Sequence, residues 1–254
     1  MDARLIVLVL AFAALPAWAF DHGHPAWDAL LKKHVVVLQG EHASQVRYDG
    51  FAADRAALRA YLDSLSGVPA AEFEGWPKDE RKAFLINAYN AFTVEKILTR
   101  WPDIRSIWDF GKIFGNPFKD DFFRLLGRPM TLDGIEHETL RRRGAYDDPR
   151  VHYAVNCASI GCPMLREEAY VAPRLEAQLD QQAVRFLSDR SRNRFRDGRL
   201  EVSKIFDWFK EDFEPRVKYF ARYARALDYP GGDVPIGFLD YDWTLNAYRS
   251  SSPR

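Results

Sequence analysis

The chain has 254 residues, with 36 Lys and Arg against 36 Asp and Glu, so its formal net charge is zero. Neutrality excludes a nucleic-acid binder driven by counterion release, which needs a basic excess. At 47% hydrophobic and 14% aromatic, the chain can bury enough apolar surface to offset the entropy of ordering, which excludes intrinsic disorder; two cysteines exclude a disulfide-stapled miniprotein.

Residues 1–19 read as an export signal. Asp2 and Arg4 precede an apolar run from Leu5 to Leu15, and Ala17-Trp18-Ala19 puts small residues where a signal peptidase reads. The run is about half the roughly 20 residues that a membrane-spanning helix requires. The expectation is therefore a periplasmic or secreted protein that starts at Phe20, with one globular domain over 20–254 and no membrane span after leader cleavage.

Pro25, Trp27, Leu30, Leu31, Val35 and Leu38 then follow a helical stripe with proline in the first turn. Gln45 to Phe51 reads as a short β-prone connection. Asp54 is placed to cap a helix through Leu58, Tyr61, Leu62 and Leu65, closed by Gly67 and Pro69. Pro77 to Arg100 is the strongest helix, apolar nearly all round, as a central helix packed by others must be. A hairpin is expected through Phe122-Arg124-Leu126 and Met130, turning at Gly127-Arg128-Pro129. Asp133 opens a helix to about Arg143, Val151 to Asn156 reads as a buried strand, and Pro173 starts a helix through Leu187. Asp197-Gly198 is a two-residue hairpin turn. Ser203 caps a short helix, Pro215 begins another, and Gly231-Gly232 precedes a final extended segment ending near Trp243. The fold class expected is α+β: a helix-rich domain around a buried central helix with a small, mainly antiparallel sheet, compatible with papain-like or transglutaminase-like architectures.

Several stretches, in this order and spacing, carry a resemblance: Phe84-Leu85-Ile86-Asn87-Ala88-Tyr89-Asn90-Ala91; Leu132-Asp133-Gly134-Ile135-Glu136-His137; Asp148 through Asn156-Cys157-Ala158-Ser159; Gly161-Cys162-Pro163; Val202-Ser203-Lys204-Ile205-Phe206; and Asp240-Tyr241-Asp242-Trp243. Together they resemble the domain-of-unknown-function 547 family of bacterial and plant proteins. The family pattern usually has Phe-Trp where this chain has Phe84-Leu85, and Pro-Pro where it has Pro163-Met164. The resemblance implies a shared site rather than an established reaction.

Cys157 is the first chemical candidate. It ends an apolar stretch and begins a turn containing Ser159, Gly161 and Cys162, where backbone amides could lower a thiol pKa and hold an oxyanion. Asn156 could add a donor to that oxyanion. A Cys157–Cys162 disulfide competes with this reading: the two Cα atoms lie up to about 16 Å apart if extended, beyond the roughly 7 Å a bridge tolerates, yet a tight turn at Gly161 would close the gap. An inert thiol and metal ligation also stay open. His137 is the best base, with Glu136 either the carboxylate that supports it or, since Asp133 with Glu136 has the form of a capping box, a structural residue, the reading the box favours. Strand alternation would put His152 with Asn156 on the side opposite Cys157. Asn87 and Asn90 sit mid-helix where asparagine has poor propensity, so they are chosen for hydrogen bonds, either to neighbouring backbone or into the site. Arg141-Arg142-Arg143 reads as a basic run complementing a helix C-terminus. No spacing matches a zinc motif, a phosphate loop, a dinucleotide fingerprint or Gly-x-Ser-x-Gly, so neither metal nor cofactor is expected.

Two functions follow. One is a thiol enzyme of acyl-transfer or amide-hydrolysing type, with Cys157 as nucleophile, His137 moving the proton and Asn156 at the oxyanion. The other is a non-catalytic envelope binding module whose Cys157–Cys162 bridge shapes an aromatic groove of Trp108, Phe114, Phe118 and Trp243. Either would take a peptide-like or small-molecule ligand, not nucleic acid.

Overall fold

A long helix, α5 (Lys78–Leu98), runs through the middle of the computed structural model, which describes residues 19–111 and 115–249. The expected leader, apart from its last residue Ala19, and Phe114 lie outside the described residues. Helix α5 starts after Pro77 with Asp79 and Glu80 in its first turn, where carboxylates suit the helix dipole, and nearly every residue from Lys82 to Leu98 is buried. Around it pack α1 (Pro25–His34), α2 (Tyr48–Ala53), α3 (Arg55–Ser66), α4 (Ala70–Glu74), α6 (Leu132–Ile135), α7 (Val151–Ala154) and α8 (Leu175–Leu187). Helices α9 (Ile205–Trp208), α10 (Arg216–Arg222) and α11 (Ala224–Leu227) lie toward the C-terminus.

Three small sheets complete the α+β domain. Strands β1 (Val35–Val37) and β2 (Ser44–Val46) pair antiparallel, as do β3 (Phe123–Leu125) and β4 (Arg128–Met130). Strand β5 (Arg194–Arg196) pairs antiparallel with β6 (Arg199–Ser203), and β6 pairs parallel with β7 (Ile236–Leu239). The Asp197-Gly198 turn falls where expected, whereas the first hairpin turns earlier, at Leu126-Gly127, so that Arg128 and Pro129 belong to β4; both pairs have positive φ, the requirement of a type I′ turn. The first helix is shorter than its stripe suggested, because the β-branched run Val35-Val36-Val37 pairs with β2 instead of extending α1. Asp54 precedes α3 without capping it; its carboxylate takes Lys33 at 2.6 Å and His34 at 2.7 Å.

The largest departure is at 151–156, a helical turn followed by extended Val155 rather than a strand. Among the described residues no strand pairs with it. Asn90 of α5 does a neighbouring strand's work, its Nδ2 donating to the Ala154 carbonyl (2.9 Å) and its Oδ1 accepting the Asn156 amide (2.8 Å). Asn87 clamps Tyr170 in the same way, through its carbonyl (2.7 Å) and its amide (3.0 Å). A side-chain amide reproduces the donor and acceptor of a peptide group, so a helix can satisfy extended backbone without a sheet. Both asparagines are therefore ties between the central helix and the loops, with the second tie ending one residue before Cys157.

Two hydrophobic clusters form the core. One surrounds α5 and includes Trp27, Phe51, Phe84 and Val155; the other contains Tyr153, Phe186, Phe206, Phe213 and Phe220. Among the described residues no helix is long and apolar enough to cross a membrane.

Candidate functional site

A cleft of about 410 Å³ draws its walls from both clusters. Cys157, Cys162, His137, Glu136 and His152 line it together with Trp108, Phe118, Trp208, Phe209, Tyr241 and Trp243. The thiol and the aromatic groove, expected as rival sites, share one cavity. Because 151–154 is helical, strand alternation does not apply, and His152 faces the same cleft as Cys157 rather than the opposite side.

Cys157 and Cys162 are both free thiols and are not at disulfide distance. Cys157 is partly exposed; Cys162 is buried, its sulfur accepting the Cys157 amide at 3.1 Å. The Cys157 sulfur has two hydroxyl partners, Ser159 at 3.1 Å and Tyr241 at 3.2 Å, and these hydroxyls also bond each other at 3.1 Å. Burial works against the charged thiolate, but the neighbouring Cys162 thiol and the Ser159 and Tyr241 hydroxyls outweigh it and hold Cys157 below the ordinary cysteine value. Burial pushes Cys162 well up, so the two thiols differ in kind.

Four amides of the turn after Cys157 are already engaged. The Ala158 N–H goes to Asn156 Oδ1, Ile160 N–H to the Thr244 carbonyl, Gly161 N–H to the Asp242 carbonyl and Cys162 N–H to the Ser159 carbonyl. Asn156 is also engaged: its Nδ2 donates to the Pro163 carbonyl (2.8 Å), and its Oδ1 also accepts from Asn246 (3.2 Å). It does not line the cleft, and in this arrangement it braces the turn instead of aiming at an oxyanion. Ala158 holds φ at 61°, a conformation L-residues adopt at a cost, next to Cys157.

What brings Tyr241 to Cys157 is the C-terminal strap. Residues 242–246 run beside 158–161 through three backbone hydrogen bonds, two of which make the Ser159–Leu245 bridge, and at Gly161 an added Cβ would come within 3.0 Å of the Asp242 backbone and the Tyr241 ring. Only glycine permits that approach.

The opposite wall is ionic. Thr131, not Asp133, caps α6, its Oγ1 accepting the Gly134 amide at 2.8 Å, so the expected capping box is not formed. The chain then passes into a single π-turn, Glu136–Leu140. Such turns are frequent at functional sites. Glu136 is buried beside Tyr89, with its carboxylate 3.6 Å from His152 Nδ1, an ion-pair contact; His152 Nε2 donates to Asp212 at 2.7 Å. Burial opposes charge on His152, but Asp212 and Glu136 raise its pKa. The same pairing lowers Glu136 and, with Arg141, takes Asp212 to about 2, each against the upward push of burial. Arg141 is thus more than a helix-end charge: it binds Asp212, Glu211 (2.9 Å) and His137 Nδ1 (2.7 Å).

That last contact fixes a tautomer. A guanidinium can only donate, so His137 Nδ1 accepts, and the neutral ring carries its proton on Nε2. Among the described residues no hydrogen bond joins His137 to Cys157; Nε2 lies 3.8 Å from Asp133 Oδ1.

The family described as "Protein of unknown function, DUF547" matches residues 73–187. That stretch of the chain belongs to this family. No curated protein and no solved structure matches the chain. The DUF547 segment supplies Glu136, His137, His152, Cys157 and Cys162, whereas Trp208, Asp212, Tyr241 and Trp243 come from beyond it. Sequence reasoning found the first group. It missed Asp212, Tyr89 and the role of Tyr241, although Tyr241 and Trp243 stand in one of the stretches that carried the resemblance.

Proposed function

We propose that the protein is an exported thiol-dependent enzyme that acts on an amide or related acyl bond in the cell envelope, with Cys157 as nucleophile. The observation that supports this most is the Cys157 sulfur itself: partly exposed at a cleft, bonded by two hydroxyls and lowered in pKa, beside a second thiol that is not. Attack on an acyl carbon forms a C–S bond and breaks the C–N bond; the thiol proton, passed through the Ser159 and Tyr241 hydroxyls, ends on the departing nitrogen. Water or a second nucleophile then cleaves the thioester and restores the thiol. With its proton on Nε2, His137 serves this chemistry as a neutral donor to the developing oxyanion, the role its Arg141 contact favours over that of a base. The apolar run and Ala17-Trp18-Ala19 support export to the periplasm or beyond.

Alkylation tests the nucleophile. Iodoacetamide at neutral pH is expected to modify Cys157 before Cys162 in the native protein, read by peptide mass. Equal slow labelling of both, or labelling only after reductant, would remove the basis for the enzyme reading. A binding module is the second reading, favoured by Trp108 and Trp208, which stand 39% and 41% exposed at the cleft. It is preferred if Cys157 proves unreactive.

A further inference from the structure

The residues lining the cleft are unbalanced in charge. Among the described residues that form its walls there is no Lys or Arg, while Asp133 and Glu136 present two carboxylates. Glu136 has the His152 ring beside it, 3.6 Å away, whose pKa it and Asp212 raise against the opposing effect of burial. Asp133 is not matched in that way. Its carboxylate has no hydrogen-bond donor among the described residues, and its nearest basic neighbour, His137 Nε2, stands off at 3.8 Å. The side chain is only 19% exposed, so water does not fully replace a partner.

The aromatic wall shows the same vacancy of positive charge. Trp108 meets Trp243 edge-on at 5.3 Å, and Phe118 approaches both, at 5.9 Å from Trp108 and 6.5 Å from Trp243. Elsewhere in the protein Lys96 lies over Phe110 and Phe122, and at the opposite, ionic wall of the cleft Arg141 lies over Phe209. Among the described residues none lies over Trp108, Phe118 or Trp243. Helix α6, which carries Asp133, packs against the turn Pro117–Lys119, which carries Phe118. Asp133, Phe118 and the indoles of Trp108 and Trp243 thus line one cleft, with Trp243 stacked on Trp208. Tryptophan is the ring a cation prefers, and the attraction grows as the site is desolvated.

We propose that the ligand of this cleft carries an alkylammonium group, held between the Asp133 carboxylate and the faces of Trp108 and Trp243. This deepens the enzyme reading by naming the substrate class as cationic amines of lysine-side-chain type, with the acyl bond extending from there toward Cys157. Among the described residues that line the cleft an anionic ligand would meet two carboxylates and no Lys or Arg, and a neutral one would leave Asp133 unmatched.

The probe is Nα-acetyl-lysine N-methylamide, compared with its Nε-acetylated twin, which has the same stem without the charge. Binding is followed by tryptophan fluorescence at constant ionic strength in the full protein. Saturable quenching by the cationic probe and not by the twin is expected, with Asp133→Asn weakening it about tenfold, the effect of one modest ionic contact. Trp108→Ala, a change at an exposed position, is expected to weaken it as well. This second variant decides the matter if Asp133→Asn does not fold. Equal response to both probes, no saturable response to either, or undiminished binding in the folded variants would overturn the proposal. The same titration on Cys157→Ser separates the two readings. Binding retained there while Cys157 in the parent resists iodoacetamide would leave the ammonium site standing and the enzyme reading failed; a reactive thiol with no preference for the cation would do the reverse.

Discussion

Burial favours a neutral thiol, so a cysteine at the floor of an apolar cleft starts as a poor nucleophile. Cys157 is lowered all the same, and what offsets the desolvation is a set of short hydrogen bonds rather than a histidine or a helix terminus. If the Tyr241 hydroxyl is one of those donors, Tyr241→Phe removes it while keeping the ring that packs against Trp208 and Trp243. The pH profile of Cys157 alkylation is then expected to move upward, and the neutral-pH rate to fall about tenfold for each 1.4 kcal/mol of lost thiolate stabilisation. An unchanged profile would mean that the hydroxyls are spectators. Cys157 and Ser159 were legible in the sequence because they are neighbours in one turn. Tyr241 was not, since it lies 84 residues away and a tyrosine in an aromatic-rich tail has no local signature of its role. Asn156 was legible as a buried polar residue but not in its orientation, which depends on Pro163 and Asn246.

Elements were read best where the signal is local. The all-round apolar character of 78–98 and the two Gly-containing hairpins recur in the structure, the first with an earlier turn, because each depends on residues within a few positions. The stretch 151–156 was misread because a buried apolar run looks alike in a strand and in a short helical turn, and the two asparagines that decide between them sit on another element. Position 161 shows how much a single glycine can hold together. Its Cα lies so close to the strap that an alanine Cβ would meet the Asp242 nitrogen at 2.9 Å and oxygen at 3.0 Å, both backbone atoms that cannot turn aside. Gly161→Ala is therefore expected to push residues 241–246 away from the Cys157 turn. The predicted result is a loss of about 1–3 kcal/mol, the usual range for overpacking, with slower Cys157 alkylation because Tyr241 moves too. Chemical denaturation and thiol labelling measure the two effects separately. Wild-type stability with wild-type labelling would show that the strap is not held at Gly161.

Across the whole molecule, two buried histidines make opposite demands on pH. His24, 1% exposed near the start of the expected mature chain, bonds Tyr61 at 2.8 Å through Nδ1 and packs beside Phe20. Burial first, then repulsion from His22, lowers its pKa from 6.5 to about 4, with Asp21 opposing. A histidine with a depressed folded pKa favours the native state above its unfolded value, and that stability is lost as the pH falls from about 6.5 toward about 4. The gap corresponds to about 3 kcal/mol at most. His152 runs the other way, because Asp212 and Glu136 raise its pKa: its contribution is complete below about 6.5 and is lost as pH rises through the folded value. Asp212 itself, lowered to about 2, adds stability above the ordinary aspartate value of 3.8 that disappears as pH falls toward 2. Between pH 6.5 and 4 the His24 penalty acts before Asp212 begins to protonate, so the acid limb should show two stages. Replacing His24 with Gln is expected to flatten the first stage and leave the second, whatever it does to the absolute stability. Substituting Gln for His152 should instead remove the decline on the alkaline side of 6.5. Urea midpoints measured across this range check both, and a His24→Gln protein whose stability still falls with the parent's slope between pH 6.5 and 4 would show that the N-terminal histidine is not what the acid titrates.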